Sequence, residues 1–433
     1  MSTAGHHGEQ GRHGLELGPF RGLRYAADRV RDLAAVTSPP YDVVVRPDGL
    51  HHLEALDPHN IVRLILPQAL DPEERNARAA ATLRRWLDDG VLTVEDRPAL
   101  YVYEQRGVDG LLQRGLIGAL RLSDPEEGVV LPHEDVMPHV VADRAALMRA
   151  TSANLEPLLL SYRGDGDGEA RGAAAVVEAA AGREPLLSTV TEDGVAHRLW
   201  AVTDPAEQAA ARRDLSRRTA LIADGHHRWA TYLRLRDSHL PDPGPWDSGL
   251  VLLVDSTRYP LRVRAIHRLL RRLPVPEALS ALSGLFRVRR LDAALPEALG
   301  HLAQAAGEGN AFLLAGDGAF HLVDRPDPAL LARTVPSGPP EAWRTLDATV
   351  LHRALLDDVW RIPEDSPDRI TYIHDAAATV RQAEREGGTA VLLHPVREEV
   401  VRELAEQGVK MPRKSTSFGP KPASGLVLRL VGE

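Results

Sequence analysis

The 433-residue sequence predicts an α+β fold of mixed and antiparallel sheets with flanking helices. Three observations carry that expectation. Strand-like runs recur in pairs around tight turns, helical periodicities are scattered between them, and no glycine fingerprint of a dinucleotide-binding βαβ unit is present.

Along the chain, residues 1–16 read as a polar, disordered tail whose His6, His7 and His13 are flexible solvated histidines. Packing begins near Leu17, in PFRGLRYAADRV, and leads to VTSPPYDVV, where the double proline 39-40 forces an extended path through Tyr41 and Asp42. From Pro72 to Gly90, Ala80, Leu83, Trp86 and Leu87 recur at helical spacing, with Gly90 as the stop. ALYVYEQ and LIGALRL then form two strands around a glycine-containing turn. In LPHEDVMPHVVADRAALMRATSANLEP, Pro138 interrupts the run and Asp143-Arg144 opens a helix through Met148. SYRGDGDGEARG is the linker candidate. Further hairpin signals are LLSTV-TEDG-VAHRLWAV, LLVDS-TRY-PLRVRAI and AFLLAGDGAFHLV, with helices expected around 206–217, 276–285, 344–359, 375–386 and 397–407 and a final strand GLVLRLV. The expected division is a tail 1–16, an N-terminal α/β region 17–163, a linker or loop 164–172, a region 173–270, and a C-terminal α+β region 271–433.

Composition narrows the function. Apolar content of 43% and charged content of 26% describe an ordinary globular protein, and the net charge of −9 argues against a general nucleic-acid binder. The absence of cysteine excludes disulfides, thiolate catalysis and Cys-ligated zinc. No run approaches the ~18–20 apolar residues of a membrane-spanning helix. The expectation is a cytoplasmic protein acting on a small molecule, with no nucleic-acid or membrane partner.

Lysine usage singles out one segment. Of 52 lysines and arginines only Lys410, Lys414 and Lys421 are lysine, all within KMPRKSTSFGPKPASG. Where arginine serves everywhere else, a surviving lysine suggests a compact ammonium acting as a point charge on phosphate. Ser415, Thr416 and Ser417 add hydroxyls. Chance clustering in a solvated tail is the alternative, and the hydroxyl-rich neighbourhood favours the functional reading.

A second segment is TALIADGHHRWATYLRLR. TALIA suits a buried strand, Asp224-Gly225 a tight turn, and His226, His227 and Arg228 open a helix whose Trp229, Leu233 and Leu235 pack inward. A polar turn from a buried strand into a helix N-terminus favours anions, and Arg228 adds a bidentate donor. Either histidine can donate to phosphate or move a proton, and Asp224 can hold Mg²⁺ or orient an imidazole. Simple capping by Asp224 beside two surface histidines is the alternative.

In the PHED segment a carboxylate beside histidine suits a general base, for which Glu134 is the candidate. Glu134, Asp135 and His139 are alternatively metal ligands, and a solvated loop acid stands as an even reading. Asn60 and Asn154, two of four asparagines, read equally as substrate contacts or turn residues. His267-Arg268 ends a strand-like run and lines a pocket or the surface. No Walker-type or kinase-type glycine loop occurs, so nucleotide chemistry would use another scaffold.

Together PFRGLRY, SPPYDVV, PHEDV with Asp143-Arg144, ADGHHRWAT, His267-Arg268 and MPRKSTSFGPKPASGLV resemble the prokaryotic domain-of-unknown-function family 1015, in order and over nearly the whole folded chain. Ser417 and Gly419 stand where bulky aromatics are common in that family. The strand–DGHHR–helix element, around 219–236, is similar to the phosphate-binding motif of the ParB and sulfiredoxin superfamily, making 173–270 a ParB-like region. One branch of that superfamily phosphorylates free serine using a nucleoside diphosphate.

These resemblances imply a nucleotide-dependent phosphotransferase acting on a small, serine-like hydroxyl compound, with Mg²⁺ and a nucleoside di- or triphosphate as cofactors. The catalytic candidates are Glu134, His226, His227 and Lys414. Asp224, Gly225, Arg228, Ser415, Thr416 and Lys421 would bind phosphate or nucleotide. Tyr41, Asp42, Asn154, His267 and Arg268 are pocket candidates, and Asp224 and Asp135 metal candidates. Two alternatives stand beside this reading: a metal-dependent phosphatase for small molecules, and a non-catalytic ParB-like nucleotide switch.

Overall fold

Strand runs with apolar residues on both faces need cover on both sides, and here they become the interior of one large sheet. The computed structural model describes residues 14–44, 47–166, 168–364 and 366–432. Most of the expected tail lies outside the described residues, but Leu15 is already fully buried, its amide donating to the carbonyls of Leu215 and Arg218.

The chain divides into two compact units. The first comprises residues up to Pro132, Val136–Leu261 and Pro420–Glu433; the second comprises His133–Asp135 and Arg262–Gly419. The strands of the first unit, in chain order, are β1 (Leu17–Gly18), β2 (Gly22–Tyr25), β3 (Leu92–Val94), β4 (Leu100–Arg106), β5 (Leu112–Arg121), β6 (Val130–Leu131), β7 (Ala153–Asn154), β8 (Leu158–Tyr162), β9 (Leu187–Val190), β10 (Ala196–Val202), β11 (Ala220–Asp224) and β12 (Ser248–Asp255). Its main sheet runs β6-β11-β8-β12-β5-β4-β10-β9, with β1 added beside β5. The sheet is mixed: β12 lies parallel to β8 and β11 to β6, whereas β4–β5, β9–β10 and β5–β12 are antiparallel. Because β12 pairs with both β5 and β8, segments on either side of the 164–172 stretch share one sheet, and that stretch leads from β8 into the helix Gly172–Ala181. A smaller sheet joins β3, β2, the C-terminal strand Leu428–Leu430 and β7.

The second unit holds β13 (Arg262–Ala265), β14 (His267–Leu270), β15 (Arg287–Leu291), β16 (Ala311–Ala315), β17 (Phe320–Asp324), β18 (Ile370–Ile373), β19 (Thr389–Leu393) and β20 (Thr416–Gly419). Six of these form an antiparallel sheet in the order β15-β17-β16-β19-β14-β18, and β13 pairs with β20. The architecture is α+β, with mixed and antiparallel sheets and flanking helices. Among the described residues no helix is long and apolar enough to cross a membrane.

Local signals translate into structure where the partner is near in sequence. The β4–β5, β9–β10 and β16–β17 hairpins form as expected. The helix Pro72–Asp88 starts where Asp71 accepts a hydrogen bond from the Glu74 amide, with proline in its first turn, and buries Leu83 and Trp86. Three expectations are corrected. LLVDS and PLRVRAI do not pair with each other, since β13 finds β20 instead. The helix expected from Asp143 begins at Pro138, because a proline tolerated at the first helical position starts a helix rather than breaking it. The helical stretch expected around 344–359 is broken after Arg344, the last residue of the helix Glu341–Arg344, resumes at Asp347 and continues as a π-helix over Leu351–Val359.

Candidate functional site

In the first unit, buried β11 ends at Asp224, and Gly225 turns the chain at φ +98° into the helix His226–Asp237. A β-carbon at Gly225 would sit 2.9 Å from Leu158 and 3.2 Å from the Arg228 guanidinium, so only glycine fits both the space and the left-handed backbone. Gly225 caps the helix without a side-chain hydrogen bond. One turn on, Arg228 folds back, donating from Nη2 to Asp224 Oδ2 at 2.8 Å and from Nη1 to the Pro157 carbonyl at 3.0 Å.

Around Arg228, which is 2% exposed, acids and a ring converge. Lys421 donates to Asp42 and lies 2.5 Å from Asp224 Oδ1, bridging the two carboxylates. Glu156 accepts from the Tyr41 amide at 2.9 Å and from the Ser424 hydroxyl at 3.1 Å. The Tyr41 ring lies 4.6 Å from the Arg144 guanidinium and 5.8 Å from that of Arg228. Arg228 and Lys421 thus face Asp42, Asp224 and Glu156, and Arg144 pairs with Asp143 at 2.8 Å, so each cation has an acid to offset its desolvation.

The electrostatics follow from that balance. Burial alone would push the Arg228 guanidinium down, but Glu156, Asp224 and Asp42 outweigh it and hold the group above its usual range. Lys421 behaves alike: desolvation opposes its charge, and Asp224 and Asp42 raise it well above an ordinary amine. Asp42, with 35% of its side chain exposed, is pushed up by desolvation and pulled further down by Lys421 and Arg228, ending below a normal carboxylate. Burial pushes the Glu156 carboxyl up despite Arg228, and the Tyr41 hydroxyl up to about 12.

These contacts bear on the metal expected at Asp224. Both of its oxygens already accept from cations, Oδ2 from Arg228 and Oδ1 from Lys421. A divalent ion placed there would meet two fixed positive charges. The residues present do not fit a resident magnesium on Asp224.

Other candidates divide between the units. Tyr41, Asp42, Asp224, Gly225, Arg228 and Lys421 come together in the first. His227 lies in the same helix start, and its Nε2 accepts from the Met137 amide at 3.1 Å, anchoring the uncapped beginning of the helix Pro138–Thr151. His226 is buried on the same first turn. The Asn154 side chain accepts from the Arg429 guanidinium at 3.0 Å within the small sheet, and Asn60 accepts from the Val62 amide at 2.9 Å and donates to the carbonyls of Ala35 and Thr37, holding backbone in place.

In the second unit the PHED and MPRKST segments meet. The His133 carbonyl accepts from the Met411 amide at 2.8 Å, and His133 Nε2 lies 3.1 Å from the Thr416 hydroxyl. Glu134 accepts a long bond, 3.5 Å, from the amide of Lys414, a residue in the left-handed region at φ +54°. Ser415 donates to the Pro412 carbonyl at 2.6 Å. Burial pushes the Lys410 amine down, and the charge of Asp135 pulls it partly back. His267 and Arg268 lie in β14. Burial pushes the His267 imidazole down to about 4, and its Nδ1 accepts from the Leu393 amide at 3.3 Å. Arg268 is fully buried against the Tyr372 ring, 4.8 Å away, with Nη2 3.0 Å from His352 Nε2.

The sequence did not mark Glu156, and it placed Arg144 in a helix start and a family motif without a site role. Glu156 lies in NLEP between apolar residues, and an acid so placed, followed by a buried strand, was the available signal.

Comparison with known proteins adds the following. A free serine kinase in complex with AMP aligns at 15% identity and a TM-score of 0.34, covering 67% of this chain and 83% of that one. A conserved hypothetical protein from Pyrococcus furiosus aligns at 15% identity and a TM-score of 0.32, covering 67% and 87%. SbnI with a C-terminal truncation, from Staphylococcus aureus, aligns at 10% identity and a TM-score of 0.35, covering 70% and 82%. Superpositions this loose carry no argument about chemistry. No curated protein matches. The family described as "Protein of unknown function (DUF1015)" matches residues 17–349, and the chain belongs to that family.

Proposed function

We propose that the first unit binds the phosphate groups of a nucleotide, and that the protein transfers a phosphoryl group to a small hydroxyl compound such as serine. The observation that carries this reading is Lys421 held between Asp42 and Asp224 beside the N-terminus of the His226 helix. An ammonium has three donors, and two carboxylates orient it without surrounding it. The helix terminus adds a positive potential from aligned peptide dipoles. A fixed point charge beside that terminus suits charge spreading over the equatorial oxygens of a transferring phosphoryl group, where catalysis is mostly positioning and electrostatics. In the transfer, the acceptor oxygen forms a bond to phosphorus as the bond to the leaving phosphate breaks, and the hydroxyl proton leaves to a base. The resemblance of the DGHHR element to a phosphate-binding motif supports the same assignment.

Phosphorus NMR of the purified protein with ATP, ADP or CTP, each with and without hydroxyl amino acids and polyols, tests it. The expected result is a new phosphomonoester signal that requires an acceptor. Nucleotide left intact under every condition would remove the reading.

A further inference from the structure

The segment Pro420–Ser424 crosses the first unit outside any main-sheet ladder, so its carbonyls and amides need other partners. Two buried glutamines, 3% and 2% exposed, provide donors. Gln105 and Gln113 are direct cross-strand partners in the β4–β5 hairpin. Gln105 Nε2 donates to Gln113 Oε1 at 2.6 Å and lies 3.2 Å from the carbonyls of both Pro420 and Lys421. Gln113 Nε2 donates to the Pro420 carbonyl at 3.0 Å. Beyond Lys421, the Ala423 amide donates to the Tyr103 hydroxyl at 3.2 Å, and Ser424 exchanges backbone bonds of 2.8 and 3.2 Å with Ser38. Ser38 precedes Pro39-Pro40-Tyr41-Asp42, so the same bridge sets Asp42 opposite Lys421.

A buried primary amide costs free energy unless its hydrogen bonds are made, and apolar residues would cover the hairpin as well. Two adjacent amides spending their donors on the backbone that carries Lys421 have a more specific use. We propose that Gln105, Gln113 and Tyr103 are positioning residues: they fasten the 420–424 strap so that the Lys421 ammonium is held between Asp42 and Asp224. The value of that positioning for phosphate binding rests on the function proposed above. The fastening itself does not.

The small lysine inventory makes the test clean. Acetic anhydride labelling followed by peptide mass spectrometry reads Lys421 against the exposed Lys414 in the same sample. In the wild type, ion pairing keeps Lys421 protonated, and it is expected to label more slowly than Lys414. Gln105→Met keeps the bulk and removes the donors. Since each unit of pKa changes the free-amine fraction about tenfold, the Lys421 to Lys414 ratio should rise about fivefold or more. Tyr103→Phe, which removes one oxygen, should raise it in the same direction. An unchanged ratio in folded variants would overturn the proposal, as would failure of both to fold, because a positioning role predicts folded proteins with a loosened strap. Labelling the wild type with and without ATP separates the two readings. A strap effect without nucleotide protection of Lys421 keeps the fastening and removes phosphate binding; protection without a strap effect does the reverse.

Discussion

Arg228 and Arg268 are both arginines buried to within 2% of complete, one in each unit, yet their charges are treated in opposite ways. Arg228 sits among Asp224, Glu156 and Asp42, and its proton is held more tightly than in water. Arg268 has a histidine, a backbone carbonyl and a tyrosine face as near neighbours, and burial pushes its guanidinium down to about 10, with Tyr372 and Glu364 only partly offsetting it. Burial is therefore the common condition, and the nearby carboxylates decide whether a buried cation is secured or merely tolerated.

The strongest way to break this comparison is Arg228→Met. It leaves Asp224 and Glu156 without their guanidinium, and removing one partner of a buried pair costs ~3–5 kcal/mol. Urea unfolding should show that loss; a change within error would mean the cluster is wetter than its exposures indicate. An intermediate effect comes from the acid limb of stability. Burial pushes the His267 imidazole down from its ordinary 6.5 to about 4, so the unfolded chain takes up the proton first. Its contribution is complete above pH 6.5 and is lost as pH falls toward 4. In His267→Gln the drop in stability across that window should shrink by about 1–3 kcal/mol, measured by denaturant midpoints at each pH. An unaltered drop would place the imidazole in solvent. The smallest effect is expected from Arg268→Met at neutral pH. Replacing a weakly compensated buried cation by an apolar chain of similar length should change stability by less than ~1 kcal/mol. A loss as large as that of Arg228→Met would show that His352 and Tyr372 secure the charge as well as carboxylates do.

What could be read without the structure follows the reach of each interaction. Hairpins of neighbouring strands and the strand–turn–helix at Asp224-Gly225-His226 were legible, because their hydrogen bonds close within a few residues. Lys421 was conspicuous by rarity alone. Glu156 was not, since nothing local marks an acid whose partners, Tyr41 and Ser424, lie 115 and 268 positions away. The start of the helix at Pro138 was misjudged because proline both ends and begins helices, and only the surroundings choose. LLVDS and PLRVRAI carry strand patterns but no address, so their partners were decided at long range.

The sequence by itself determined the α+β class, the family, the DGHHR turn and the segment in which lysine is retained, all from local pattern, composition or resemblance. The tertiary structure alone decided that Lys421 meets Asp42 and Asp224, while Lys410 and Lys414 belong to the other unit with Glu134. It also paired Asp224 with two cations, Arg228 and Lys421. The physical reason is that charge pairing depends on distances of a few ångströms between residues hundreds of positions apart, and only the packed sheets bring them within that range.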